Sequence, residues 1–140
     1  DLLRKFSEEG HVVTIVCPIE RREKKHTTLI KESSNTILKV KTFNIQKTNI
    51  VEKGVGTLAI EYQFLNAIKK HLKSSKFDVV MYSTPPITFS KVIQYVKKKD
   101  SAYAYLLLKD IFPQNAVDLN LLKCGGIVYN YFRKQLKYFF

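Results

Sequence analysis

Polar residues that can do chemistry follow two apolar stretches in the second half of the sequence. Lys109 and Asp110 come directly after the leucine run at 106–108, and the segment Ser-Thr-Pro-Pro at 83–86 follows the apolar residues 77–82. An adjacent cation and carboxylate can bind a phosphate or orient a hydroxyl group, and Ser and Thr hydroxyls can hydrogen-bond a polar ligand. Each segment also has a structural interpretation. Ser83 or Thr84 can cap a following helix, and Lys109-Asp110 can be a solvated strand end whose Asp caps a turn.

The elements around these segments alternate between helix and strand. Continuous or alternating apolar runs predict strands at 11–18, 36–44, 77–82 and 103–108. Apolar residues at steps of three and four predict helices before Gly10, at 57–72, from Phe89 to Val96 and from Ile127 to Phe139. This order predicts an α/β fold, a Rossmann-like parallel sheet sandwiched by helices. We expect residues 1–140 to form a single domain that lacks its first strand and belongs to a larger protein.

Several details of these elements are also predicted. The run HVVTIVCP is typical of a strand that is covered on both faces and ended by Pro18. The charged residues 19–35 predict a surface loop, and the alternation in TILKVKTFN indicates a strand near a sheet edge. The helix at 57–72 is expected to bury one apolar stripe, and the last helix another. These stripes are Leu58, Tyr62, Leu65, Ile68 and Leu72, and Ile127, Tyr131, Leu136 and Phe139.

The carboxyl ends of neighbouring parallel strands meet at the same edge of a sheet, where α/β proteins bind their ligands. We therefore expect the two polar segments to line one cleft, with the residues that follow Pro113 beside them. The candidate residues are Ser83, Thr84, Pro85, Pro86, Lys109, Asp110, Gln114 and Asn115.

Composition narrows the classes of partner. The formal net charge is +12, from 24 Lys and Arg against 12 Asp and Glu, which favours anionic partners. Cys17 and Cys124 are expected to be reduced thiols. The sequence contains no G-x-G-x-x-G, no P-loop and no metal-ligand spacing, so no metal or cofactor is predicted. The glycines of EKGVGTL indicate a flexible loop or, more weakly, a phosphate cradle.

The last residues, YNYFRKQLKYFF, mix aromatic and basic side chains. On a helix they would form an aromatic face beside a basic face that contains Arg133, Lys134 and Lys137. Such a helix suits an anionic bilayer surface, and it equally suits a core-facing helix with a solvated cationic side.

The passages FDVVMYSTPPITFSKVIQYVKKK and YLLLKDIFPQNAVDLNLL follow EEGHVVTIVCP in the chain. Together they resemble the family-four, capsule and O-antigen type of GT-B glycosyltransferases. Relatives there carry a Ser/Thr-Pro-Pro loop, then Arg-Asp or His-Asp and Pro-Glu-Ser. The resemblance runs from about Leu3 to Tyr131. It implies the N-terminal, acceptor-side half of an enzyme that transfers a sugar with retention and without a required metal.

The resemblance also implies partners and residue roles. The donor would be a nucleotide-sugar held mainly by a second domain, and the acceptor a saccharide, often linked to polyprenyl diphosphate, at the cytoplasmic face of the membrane. Lys109 and Asp110 would be catalytic, and the segment at 83–86 with Gln114 and Asn115 would bind the acceptor. Lys109 departs from the family's Arg or His, and Gln114-Asn115 replace Glu-Ser. The donor domain's paired glutamates are absent from these residues, so we predict that this polypeptide alone is inactive.

Other interpretations remain open at this point. A basic Rossmann-like module that binds nucleic acid fits the charge, but the lysines are scattered and no recognition motif is present, which disfavours nucleic acid. A membrane-surface module without catalysis fits the last helix.

Overall fold

The computed structural model of the chain describes residues 2–32, 35–47, 49–83, 89–108 and 113–136. The chain forms two compact units, Asp1–Ser74 and Ser75–Phe140. The first unit holds a sheet of three strands and the second a sheet of two strands. The chain is therefore α/β, as the sequence predicts. A single Rossmann-like domain with one continuous sheet stays a prediction.

The helices and strands follow one another along the chain. In order they are α1 (Leu2–Glu8), β1 (Val13–Glu20), a 3-10 turn (Arg21–Glu23), β2 (Thr28–Lys31), β3 (Asn35–Thr42), α2 (Ile50–His71), β4 (Val79–Ser83), α3 (Ser90–Asp100), β5 (Tyr103–Leu107), α4 (Gln114–Asp118) and α5 (Ile127–Leu136).

The sheet of the first unit combines parallel and antiparallel pairing. Strand β3 pairs in parallel with β1, from Val13 opposite Asn35 to Glu20 opposite Thr42, and β2 pairs antiparallel on its other side. The prediction of a loop over 19–35 was wrong, because this segment contains β2. The edge position expected for β3 was also wrong, since β3 lies in the centre of the sheet.

Strand β1 differs from its prediction in two ways. It continues through Pro18 to Glu20, which is possible because a proline needs no ladder hydrogen bond on the open side of an edge strand. Ile19 is its one buried residue, so the strand is half-buried rather than covered on both faces. The helix before it ends as predicted, with Gly10 in the left-handed region at φ 87°.

Helix α2 is longer than the sequence predicted. It begins at Ile50, seven residues before the expected start at Thr57, and Asn49 caps it by accepting a hydrogen bond from the Glu52 N–H at 2.7 Å. Gly54 and Gly56 therefore lie inside a helix, and EKGVGTL forms neither a flexible loop nor a phosphate cradle.

The core of the first unit lies between α2 and β3. The buried side chains there are Leu38, Val40, Ile60, Phe64, Ala67, Ile68 and Leu72. Two members of the predicted stripe, Leu58 and Tyr62, are exposed instead. Helix α2 carries apolar residues both on the side that faces the core and on the outer side. Around Leu58 and Tyr62, the spacing of apolar residues used for the prediction followed the outer side.

The second unit is built on the parallel pair β4 and β5, from Val79 opposite Tyr103 to Ser83 opposite Leu107. Helix α3 packs against both strands and buries Val92, Ile93 and Val96, three of the apolar residues whose spacing predicts a helix between Phe89 and Val96. Because α3 begins at Ser90, Ser83 is the last residue of a strand and not the cap of that helix.

The end of the second unit contains two helices. The short helix α4 follows Pro113 and was not among the helices predicted from the sequence. In α5 the buried side chain is Tyr129, whereas Ile127 and Tyr131 are exposed. The predicted apolar stripe of this helix was therefore wrong for its described residues.

Candidate functional site

Among the residues that the sequence singled out, Ser83 is described at the carboxyl edge of β4 and β5. Ser83 is half-buried and lies opposite Leu107 in the parallel register. Beside it, Tyr82 lies opposite Leu106, and burial raises the pKa of the Tyr82 hydroxyl above its ordinary value. Like other tyrosine hydroxyls, that of Tyr82 is protonated at neutral pH and can donate a hydrogen bond.

Part of the predicted site lies outside the described residues. These residues are Thr84, Pro85, Pro86, Lys109 and Asp110, together with Lys137 of the basic face. The shared cleft and the catalytic roles of Lys109 and Asp110 thus stay predictions.

The described remainder of the site is on α4. The exposed Gln114 amide donates a hydrogen bond from Nε2 to Asp118 Oδ1 at 3.0 Å, one turn along the helix. Asn115 is half-buried, and its buried Oδ1 has no hydrogen-bond partner among the residues the structure describes. A buried amide oxygen without a partner is costly, so among the described members of the predicted site Asn115 is the one with an unsatisfied acceptor.

The predicted basic face of α5 is described at two positions. Arg133 is exposed and donates from Nη1 to the hydroxyl of the buried Tyr129 at 3.4 Å. Lys134 is also exposed. The guanidinium is therefore held against its own helix, and the Lys134 ammonium is the more accessible charge of the two.

A second polar cluster lies at the carboxyl edge of β1 and β3, and the sequence analysis missed it. Glu20 is the last residue of β1, and its Oε1 accepts hydrogen bonds from the backbone N–H groups of Ile45 at 3.3 Å and Gln46 at 3.0 Å. Its Oε2 lies 2.8 Å from Arg22 Nη2, an ion pair that lacks the alignment of a hydrogen bond. One half-buried carboxylate therefore anchors the loop that leaves β3.

Arg22 and Asn44 extend this cluster to the start of α2. Arg22 donates from its backbone N–H to Asn44 Oδ1 at 3.0 Å and from Nη1 to the Gln46 carbonyl at 3.2 Å. Asn44 in turn donates from Nδ2 to Glu52 Oε1 at 2.8 Å. These hydrogen bonds connect groups of the same chain to one another, so the cluster has a structural role and fixes the path from β3 into α2.

Two signals in the sequence mark single members of this cluster, although not their assembly. Glu20 follows a β-branched run in the same way that Asp110 follows the leucine run. Asn49 and Glu52 have the spacing of a capping box, which marks the start of α2.

The described residues contain no group of three or more His, Cys, Asp or Glu side chains placed to hold a metal ion. Cys17 and Cys124 are free thiols. Within the same residues, no helix is both long and apolar enough to cross a membrane.

Comparison with known proteins adds no relative: no family model, no curated protein and no solved structure matches this chain.

Proposed function

We propose that this chain is the acceptor-side, Rossmann-like domain of a GT-B glycosyltransferase. The complete polypeptide would transfer a sugar from a nucleotide-sugar donor to a saccharide acceptor, linked to a lipid, in the synthesis of a surface polysaccharide. A second domain would hold most of the donor. The proposal takes its reaction and substrates from the resemblance of the Ser-Thr-Pro-Pro and Lys-Asp segments to family-four enzymes.

The observation that carries the proposal is the parallel register of β4 and β5. Ser83 lies opposite Leu107, so the two chain segments leave the sheet at the same edge. Thr84 is the next residue after Ser83, and Lys109 is the second residue after Leu107. This supports a shared site, because ligands of α/β sheets bind at the carboxyl ends of parallel strands.

Each polar residue has a chemical role in the proposal. The ammonium of Lys109 would offset the charge of a phosphate, which is an electrostatic contribution that strengthens as charge develops on a leaving group. The carboxylate of Asp110 would accept a hydrogen bond from an acceptor hydroxyl. Asn115 would use the same chemistry, since its Oδ1 lacks a partner among the described residues.

Transfer of sugar to a polyprenyl-diphosphate-linked saccharide, measured with the complete polypeptide, tests the proposal. We expect Asp110→Asn and Lys109→Ala each to lower kcat/KM about 100-fold, the magnitude typical of losing one electrostatic contact to the transition state. Asp78→Asn and Lys98→Ala are matched controls, because both residues are exposed and neither belongs to the proposed site, and they should retain activity.

Equal turnover by all four variants would remove Lys109 and Asp110 from the site. Loss of activity in the controls as well would indicate a general effect on folding, and thermal melts of each variant separate that case from a specific one.

A further inference from the structure

The outer face of α2 is apolar although it points away from the core. Val51, Val55, Leu58 and Tyr62 recur at steps of four, three and four residues, which places them in one row along the helix. Their exposed fractions are 77%, 55%, 58% and 53%. We call these four residues the α2 stripe. Scattered exposed apolar residues are ordinary, but a contiguous row of them marks an interaction surface.

From Gly54 onward, the described side chains of the helix place no exposed charge within the stripe. From Gly54 to Ile68 the helix has one charged residue, Glu61, and this residue is buried at 8% exposure. The row continues into cations, because Lys69 lies seven residues beyond Tyr62 on the same face and Lys70 is beside it. Both lysines are exposed. The stripe therefore has an apolar length and a cationic end.

The charge of the chain selects the kind of partner. A second copy of this chain seated on the stripe would bring together two molecules of formal charge +12, which repel each other. An anionic bilayer offers the opposite: headgroups that attract Lys69 and Lys70, and an apolar interior for the four stripe residues. No described helix meets the requirements of a membrane span, so the contact would lie in the plane of the interface.

We propose that the α2 stripe docks the first unit on an anionic membrane surface, with Lys69 and Lys70 at the headgroups. This contact is separate from the aromatic and basic residues of α5. It also does not depend on sugar transfer, because its chemistry requires only an anionic bilayer.

Flotation of the 140-residue chain with lipid vesicles tests the proposal. We expect binding to vesicles of phosphatidylcholine with phosphatidylglycerol, and much weaker binding to phosphatidylcholine alone. Leu58→Glu should weaken the binding at least about tenfold, because it removes an apolar contact and adds a repelled charge. The double variant Lys69→Glu/Lys70→Glu should weaken vesicle binding by at least about fivefold for each positive charge that it removes near the surface.

Val12→Glu is the matched control. Val12 is 84% exposed, belongs to the same unit and undergoes the same change of charge, but it lies outside the stripe. This variant should bind almost as the unchanged chain does. Circular dichroism of each variant shows that the helices are retained, and Tyr62→Ser provides a stripe substitution that adds no charge.

Two outcomes would overturn the proposal. Equal vesicle binding by Leu58→Glu and Val12→Glu would exclude the stripe as the contact. A chain that dimerises, ignores vesicles and becomes monomeric on Leu58→Glu would assign the stripe to a second copy. Neither outcome bears on the activity of Asp110 variants, so the failure of this proposal and that of the proposed reaction are distinguishable.

Discussion

Glu20 illustrates how one side chain can set the course of a loop. Its side chain is 12% exposed, and it accepts from two backbone N–H groups while facing the guanidinium of Arg22. The bond from Ile45 is part-buried and the bond from Gln46 is exposed, so water replaces the acceptor less easily at Ile45 than at Gln46. The structural importance of a carboxylate here thus follows from what it accepts and not from its charge alone.

The contribution of Glu20 can be measured with an isosteric substitution. Glu20→Gln keeps the shape of the side chain but weakens acceptance from Ile45 and Gln46 and removes the ion pair, so we expect a loss of about 1–3 kcal/mol in the free energy of unfolding. Urea unfolding followed by circular dichroism measures this change.

Glu23→Gln is the control for Glu20. Glu23 forms an ion pair with Lys25 at 3.8 Å, and both side chains are largely exposed. Exposed pairs of this kind contribute little, so the midpoint of unfolding should hardly move. Similar losses for the two variants would contradict the anchoring role of Glu20.

At the scale of elements, the interior glycines of α2 have unequal surroundings. A Cβ at Gly56 would lie 2.9 Å from the Asn44 carbonyl oxygen and 3.1 Å from Ile45 Cγ1, whereas a Cβ at Gly54 would meet no atom within 4 Å. The helix therefore approaches the loop after β3 closely at one glycine and faces open space at the other. Packing therefore requires a glycine at Gly56 but not at Gly54.

This contrast predicts opposite effects of the same substitution. Gly54→Ala should raise the free energy of unfolding by about 0.5–1 kcal/mol, because alanine favours a helix interior. Gly56→Ala should lower it by about 1–3 kcal/mol, because the added methyl group displaces backbone rather than a flexible side chain. Chemical denaturation of the two variants side by side checks both signs, and stabilisation by Gly56→Ala would show that the loop can move aside.

The predictability of each element follows from how its apolar residues are distributed. Helix α3 has one apolar face, so the spacing of Val92, Ile93 and Val96 found both the helix and the buried side. Helix α2 is apolar on two faces, so periodicity found the helix but assigned Leu58 and Tyr62 to the wrong side. Strand β2 was not predicted, because its four residues lie within a charged segment. Its pairing with β3 also depends on contacts between residues that are distant in sequence.

The candidate site was predictable in a similarly uneven way. Parallel strands followed by polar residues pointed to the edge that ends at Ser83 and Leu107. The polar cluster of Glu20, Arg22 and Asn44 could not be assembled from sequence, because its members come from separate segments that meet only when β1 and β3 pair. The lack of a partner for Asn115 Oδ1 among the described residues is likewise visible only in three dimensions.

At the scale of the whole molecule, the excess of positive charge acts on both binding and stability. The formal charge of +12 is large for 140 residues, because 24 Lys and Arg face only 12 Asp and Glu. The surplus positive charges attract anionic surfaces, and at the same time they repel one another within the folded chain. The same feature that supports docking on an anionic membrane should therefore reduce stability at low ionic strength.

This self-repulsion predicts that salt stabilises the protein. The Debye length falls from about 30 Å at 0.01 M to about 8 Å at 0.15 M, so raising sodium chloride over this range screens repulsion across the molecule. If the relief is of the order of 1 kcal/mol, Tm should rise by about 4 °C. Lys31→Gln combined with Lys76→Gln removes two positive charges at exposed positions, and this variant should show a smaller rise. A Tm that is unchanged or lower in salt would contradict the prediction, because it would mean that specific attractive pairs, rather than net repulsion, dominate the electrostatic free energy of the fold.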